Sequence, residues 1–174
     1  MGVTVSAVSA GDAAEFIAAV KASRSLHHPW ISPPDTRERF AEWNAHLGRD
    51  DQAGYLLRHA DCGGLVGYVT VANIVRRAFL SAAMGYGAFE GHAGRGLMRT
   101  GLERVLALVF GDLGLHRVEA NIQPGNAASI ALARRLGFEK EGFSPRFLMI
   151  GGEWKDHERW ALRAETFSAG AAGR

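Results

Sequence analysis

The chain has 174 residues, 47% of them hydrophobic, enough apolar material for one domain with its own core and too much for a disordered segment. Its 20 basic and 18 acidic residues nearly cancel, no Lys/Arg run could track a nucleic-acid backbone, and no apolar run approaches the roughly 20 residues that span a bilayer. The lone cysteine, Cys62, excludes an internal disulfide and a cysteine-based zinc cluster, so a reducing, cytoplasmic setting is expected.

"MGVTVSAVSAGDAAEF" has neither the basic nor the apolar region of a signal peptide. Gly2 and Ser6 match a myristoylation pattern, but it is short and nothing else in the sequence supports it. Val3 to Val8 alternates weakly and reads as an edge strand. Asp12-x-x-Glu15 is a capping box and opens a helix to about Arg24. "SLHHPWISPPD" is broken by Pro29, Pro33 and Pro34 and reads as a loop. Asp35-x-x-Glu38 is a second capping box; Phe40, Trp43 and Leu47 follow at helical spacing, and Gly48 stops the helix.

"QAGYLLRHA" and "GLVGYVTVANIV" are strands around the turn "DCGG", and "AFLSAAMGYGAF" is a third. Gly94 to Phe110 is a helix that buries Leu97, Val105, Leu108 and Val109. A strand "LHRVEANIQ", a helix from Asn126 to Leu136 and a hairpin from Phe143 to Leu162 turning at Gly151-Gly152 complete the order βααβββαβαββ. We expect one α/β domain over residues 1–166 and a small, flexible tail over 167–174. The sheet should be mixed, antiparallel at the front and parallel across the helix after Gly96, with helices on both faces. An exposed sheet edge or the last hairpin invites a homodimer.

The glycines of "GYGAFEGHAGRGLM" sit between a strand and a helix. No Gly-Lys-Ser/Thr occurs, which excludes a Walker loop; Arg99 stands at the third glycine of a dinucleotide fingerprint, which disfavours that fold. What remains is Gly94-x-Gly96 at a helix start, where unpaired N–H groups and the helix dipole favour an anion. The glycines suit either a diphosphate cradle or a tight strand-to-helix turn.

Three stretches, "GYGAFEGHAGRGLM", "HRVEANIQPGNAASIALARRLGFEKEG" and "IGGEWKDHERWAL", resemble the GNAT N-acetyltransferases, and within them the ribosomal-protein alanine N-acetyltransferases of the RimJ/RimL type. The resemblance rests on Gly94-x-Gly96, Asn126-x-x-Ser129, Leu136-Gly137-Phe138 and the Gly152–His157 hairpin, and covers about Leu65 to Leu162. It departs from the family's Arg/Gln-x-x-Gly-x-Gly/Ala loop at Gly91. It implies a single GNAT-like domain that uses acetyl-CoA and no metal. The acceptor would be a primary amine: a protein N-terminal α-amine, as on a ribosomal protein, or a small amine such as an antibiotic or polyamine. A non-catalytic CoA-binding module is the rival from another class.

The resemblance places acetyl-CoA on Ala88, Phe89, Gly91, His92, Ala93, Gly94, Arg95, Gly96, Leu97, Asn126 and Ser129. Glu90 is then the expected general base, directly or through a water, with a solvated loop carboxylate as the alternative. Ser129 is the expected partner of the leaving thiolate, since Ala133 stands where many family members carry a tyrosine. Asn126 could bind the pantetheine arm, cap the helix, or both. The oxyanion donor should be a backbone N–H within Gly85–Ala88, on a splayed or bulged strand. Trp30 and Tyr86 could wall the acceptor site or simply pack; His27 and His28 lack a third ligand for a metal. His157 reads first as a residue that fixes the last turn, with a chemical role as the alternative.

Overall fold

A computed structural model describes residues 2–167. Seven strands form one sheet: β1 (Val3–Ala7), β2 (Ala53–His59), β3 (Leu65–Val75), β4 (Ser81–Ala88), β5 (Arg117–Ile122), β6 (Glu139–Ile150) and β7 (Glu153–Arg163). Their spatial order is β1-β2-β3-β4-β5-β7-β6. Neighbours are antiparallel except β4 and β5, which are parallel and joined through α4 (Leu97–Gly111). The expected mixed sheet is therefore present, with β1 and β6 at its edges.

The first capping box lies elsewhere than expected. Asp12 closes a box with Ser9, accepting from the Ser9 N–H at 2.8 Å, and a 3-10 turn leads into α1 (Ala13–Ala22). Asp12 and Glu15 are both paired with Arg58 instead of capping each other. The second cap shifts by one residue: Thr36 accepts from the Arg39 N–H at 3.2 Å and opens α3 (Arg37–Leu47), while Asp35 pairs with Arg39 and Arg24. The expected loop also contains one short helix, α2 (Arg24–His27). In each case the sequence offers two polar groups within one turn, and arginine partners take up the carboxylates, Arg58 across the fold for Asp12 and Arg39, one helical turn on, together with Arg24 for Asp35.

Helices cover both faces. On one face α4 and α5 (Ala127–Arg135) bury Leu102, Val105, Leu106 and Val109 against Leu57, Val66, Val69 and Val71. Leu97, Val105 and Val109 are buried as expected, whereas Leu108 is only half-buried. On the other face Phe16 is fully buried, with Phe40, Trp43, Tyr68 and Phe89 at ring distances of 5.0–5.6 Å. Two covered faces explain why β3 reads as a near-continuous apolar run rather than an alternating one. Phe89 follows directly on β4, so this aromatic cluster anchors the end of that strand.

Phe167 packs on Phe110 with ring centroids 5.2 Å apart, which carries the packed chain one residue past 166. The remainder of the tail expected at 167–174 lies outside the described residues.

Candidate active site

The parallel pair β4/β5 is short. Its ladder runs only from Ser81↔Arg117 to Ala83↔Glu119. Beyond Ala83 the two strands part, while β4 keeps regular pairing with β3 from Ala72↔Ala83 to Gly67↔Ala88. The strand is therefore splayed from β5, and the one register shift against β3 lies at Ala72/Val75, away from Gly85–Ala88. Glycine at 87 has a packing cause: a Cβ there would lie 2.4 Å from the Tyr68 ring across the strand pair.

The split exposes β4 backbone. The Ala88 carbonyl faces away from β3 and accepts from His27 Nε2 at 2.8 Å, while the Phe89 N–H donates back to Val66. In an extended strand the N–H and C=O of one residue share a side, and residues two apart repeat it. The Ala88 and Tyr86 N–H groups thus face the split. His27 is 4% exposed, and burial holds it below the ordinary imidazole range against the opposing pull of the Ala88 hydrogen bond. His28, next to it, is exposed, so the two rings do not converge on one point.

Two cavities meet at the split. The larger, about 330 Å³, is lined by Gly87 and Ala88 of β4, Met98 of α4, Asn126, Ser129 and Leu132 of α5, and His27, Trp30 and Ile31. The smaller, about 80 Å³, is lined by Met84, Gly85 and Tyr86 on β4 and by Ala120, Asn121 and Ile122 on β5. Consecutive strand residues point to opposite faces, so a cavity touched by three in a row on each strand lies in the plane of the sheet, between the strands. Gln123 and His157 also line it, and Trp30, Ile31, Tyr86, Asn126 and Ser129 border both cavities.

Tyr86 and Ser129 meet at that junction, hydroxyl to hydroxyl at 2.7 Å. Burial raises the Tyr86 phenol above its ordinary range, with the Ser129 hydrogen bond opposing. The phenol therefore stays protonated through neutral pH. Asn126 is the N-cap of α5, its side-chain oxygen accepting from the Ser129 N–H at 3.1 Å. That contact fixes the first turn and the position of Ser129. Ala133 is buried against the core. Trp30 is pinned from behind, its carbonyl accepting from Gln123 Nε2 at 3.0 Å.

At the far end of the larger cavity β4 runs through a 3-10 turn (Glu90–His92) into α4. Gly94 and Gly96 have φ of 75° and 76°, a left-handed conformation that disfavours any side chain. No atom lies within 4 Å of the Cβ position at Gly91, Gly94 or Gly96, so the loop is open on its outer side. Gly96 caps α4 without a side-chain hydrogen bond, leaving the first N–H groups of a 15-residue helix for an anion. The same glycines that make the turn leave this helix start open. Arg95 is exposed beside the loop, and His92 stacks on His59 at 5.4 Å. Burial, then the His59 and Arg95 charges, hold His92 below the ordinary imidazole range.

Several expected site residues stand apart from the cavities. Glu90 is exposed on the 3-10 turn, its N–H donating to Ser23 Oγ at 3.0 Å, and it lines neither cavity. The structure does not bring its carboxylate together with Tyr86 and Ser129. Phe89 and Leu97 are each 2% exposed, so their side chains are core and only their backbones reach the loop. Asn121, Met98 and the His27–Ala88 contact escape the sequence reading. Asn121 is one polar residue in a short alternating strand, and the others depend on elements far apart in the chain.

The family model for the acetyltransferase (GNAT) domain matches residues 3–139. The ribosomal protein uS5-alanine N-acetyltransferase of Escherichia coli is 31% identical over 156 residues, 85% of this chain and 80% of that protein. The spermidine N(1)-acetyltransferase of Vibrio cholerae is 26% identical over 162 residues, 90% of each chain. Among solved structures, Mycobacterium smegmatis RimJ in complex with CoA-disulfide superposes with a TM-score of 0.85 at 27% identity, covering 94% of this chain and 82% of that one.

Proposed function

The chain belongs to the GNAT acetyltransferase family, and from that premise we propose that it transfers acetyl from acetyl-CoA to a protein N-terminal α-amine, of the kind a ribosomal protein presents. As an N-acetyltransferase it must neutralise an ammonium, stabilise an oxyanion and release a thiolate.

The observation that carries the choice of acceptor is the lining of the two cavities, which contains no carboxylate among the described residues. A polyamine carries several alkylammonium groups with pKa values of about 10, so it is multiply charged at neutral pH and needs acidic partners to hold it. An α-amine has a pKa of roughly 7.7–8.0, is partly neutral at working pH, and suits a site of amide, hydroxyl and aromatic groups. Trp30 and Ile31 supply an apolar wall for the first side chain of such a peptide. The similarity to the uS5-alanine enzyme supports the same reading, and a ribosomal acceptor would place the reaction in the cytoplasm.

Acetyl-CoA fits the remaining features. The pyrophosphate would lie on the backbone of Gly91 to Leu97, where the Cβ positions are open and the helix start is uncapped. The arm would follow the larger cavity past Met98, Leu132 and Asn126. The thioester carbonyl would face the Ala88 and Tyr86 N–H groups, and the sulfur the Ser129 hydroxyl backed by Tyr86.

The experiment is a thiol-release assay with a panel of alanine-initiated peptides against spermidine, putrescine and aminoglycosides. We expect peptide turnover to exceed polyamine turnover at neutral pH. Saturating turnover of spermidine with none of the peptides would transfer the assignment to small amines.

A further inference from the structure

His157 is 3% exposed on β7 and lines the smaller cavity. Its Nδ1 lies 2.9 Å from the Lys155 carbonyl oxygen. A carbonyl only accepts, so Nδ1 carries the hydrogen and Nε2 keeps the lone pair. Nε2 is then the one basic atom the ring can offer the cavity. Asn121 supplies a second open acceptor there: its Oδ1 is buried and meets no donor among the described residues. Such an orphan in a folded protein calls for a donor from outside.

Arg159, on the same face of β7 and opposite Asn121, is exposed with its guanidinium over Gly142 on β6, and the other charged groups around the ring are engaged elsewhere. Asp156 Oδ1 accepts from the Arg146 N–H at 2.8 Å, Lys155 pairs with Glu153, and Glu158 is held by Lys140 and the Trp160 indole. On β6 the ring faces Ser144 and the Phe147 edge; across the cavity stand Tyr86, Trp30 and Ser129. None of the charged side chains lines the cavity. Two unfilled acceptors in a pocket without a cation match a group rich in N–H bonds.

Resting on the acceptor reading above, we propose that Asn121 and His157 receive the acceptor amine, with Asn121 Oδ1 holding one N–H and His157 Nε2 taking the proton. The amine enters as an ammonium and gives one proton to Nε2. Its lone pair forms the C–N bond to the acetyl carbon, and the C–S bond breaks with its pair on sulfur. Once that first proton has passed to bulk water, the second N–H proton leaves the nitrogen by the same Nε2; the thiolate, held by a hydrogen bond from the Ser129 hydroxyl, takes its proton from solvent. The second imidazolium proton also passes to bulk water, so one net proton is released per turnover.

The variant that isolates this role is His157→Asn. The asparagine amide sits near the Nδ1 position and can still donate to Lys155, but nothing replaces Nε2. We expect unchanged CoA affinity by calorimetry and a kcat on peptide lower by about 10²-fold or more at pH 7. The deficit should shrink toward pH 9, where the free amine accumulates. Asn121→Ala should raise KM for the peptide more than it lowers kcat, and it provides the test if His157→Asn fails to fold. A folded His157→Asn enzyme with wild-type kcat, or with a deficit constant across pH, overturns the proposal, as does an Asn121→Ala enzyme with unchanged KM. Failure of the wild-type enzyme to turn over any peptide overturns the acceptor reading, and the proposal with it.

Discussion

The Tyr86 hydroxyl lies 2.7 Å from Ser129 Oγ, bridging β4 and α5 across the mouth of the split sheet. In the proposed reaction the pair would bring a protonated phenol to the serine assigned to the thiolate. Tyr86→Phe should therefore lower kcat while leaving CoA affinity nearly unchanged, and cost about 0.5–1.5 kcal/mol of stability for the lost neutral hydrogen bond. Tyr86→Phe and Ser129→Ala act on one contact, so the double variant should lose less than the sum of the singles. A double-mutant cycle on kcat measures this, and strict additivity would separate the two residues.

The loop at the start of α4 allows charge to be separated from backbone strain. Gly91 has no left-handed φ and its Cβ position is open, so Gly91→Asp should fold normally and place a like charge beside the pyrophosphate. We expect CoA binding weakened at least about tenfold, roughly the effect of 1.4 kcal/mol, with an unchanged melting temperature. Gly96→Asp should weaken binding as well and also destabilise the fold, by about 1–2 kcal/mol for a side chain at positive φ. Calorimetry and thermal melts on both variants check the contrast.

Glu90→Gln should leave kcat within a few fold of wild type at neutral pH, because the carboxylate is exposed and lines neither cavity. A loss on the order of 10²-fold would restore Glu90 as the base, acting through water from the turn. The same assay run on His157→Asn decides between the two positions.

His27 predicts how stability depends on pH. Burial lowers its pKa in the fold, so below about pH 6.5 the unfolded chain binds a proton that the native state resists. More protons on the unfolded state means stability rises with pH: this contribution is complete above about 6.5 and is lost as pH falls through that value toward the lower native pKa. His27→Gln keeps an N–H donor for the Ala88 carbonyl and cannot ionise, so its melting temperature should fall less between pH 7.5 and 5.

Self-association should use β6 rather than β1. Both are sheet edges, but β6 and its hairpin expose Phe143, Met149 and Trp154 at 50–58%. An unpaired strand edge with apolar neighbours favours pairing. Sedimentation velocity should show a concentration-dependent dimer that Trp154→Glu shifts toward monomer; a monomer at all concentrations would contradict it.

Much of the fold was legible because it rests on local signals. The apolar runs of β2 and β3, the Gly151-Gly152 turn and the spacing of Leu97, Val105 and Val109 each follow from residues within one element. The caps depart from the local pattern because Asp12 serves both Ser9 and Arg58, 46 residues on, and because Arg39 and Arg24 hold Asp35. The short helix α2 was hidden among prolines and histidines whose packing is tertiary.

The site divides along the same line. By itself the sequence determined the glycine turn before α4, since the left-handed backbone at 94 and 96 favours glycine, and it determined Asn126 as a cap three residues before Ser129. Only the tertiary structure decided what lines the split. The splay of β4 from β5 joins Tyr86 to Ser129, 43 residues on, and sets Asn121 and His157 against one small cavity. It also leaves Glu90, adjacent in sequence to the same strand, out in solvent. The physical reason is that local spacing fixes which face of an element a residue occupies, whereas the distance between two side chains on different elements is set by how the sheet opens.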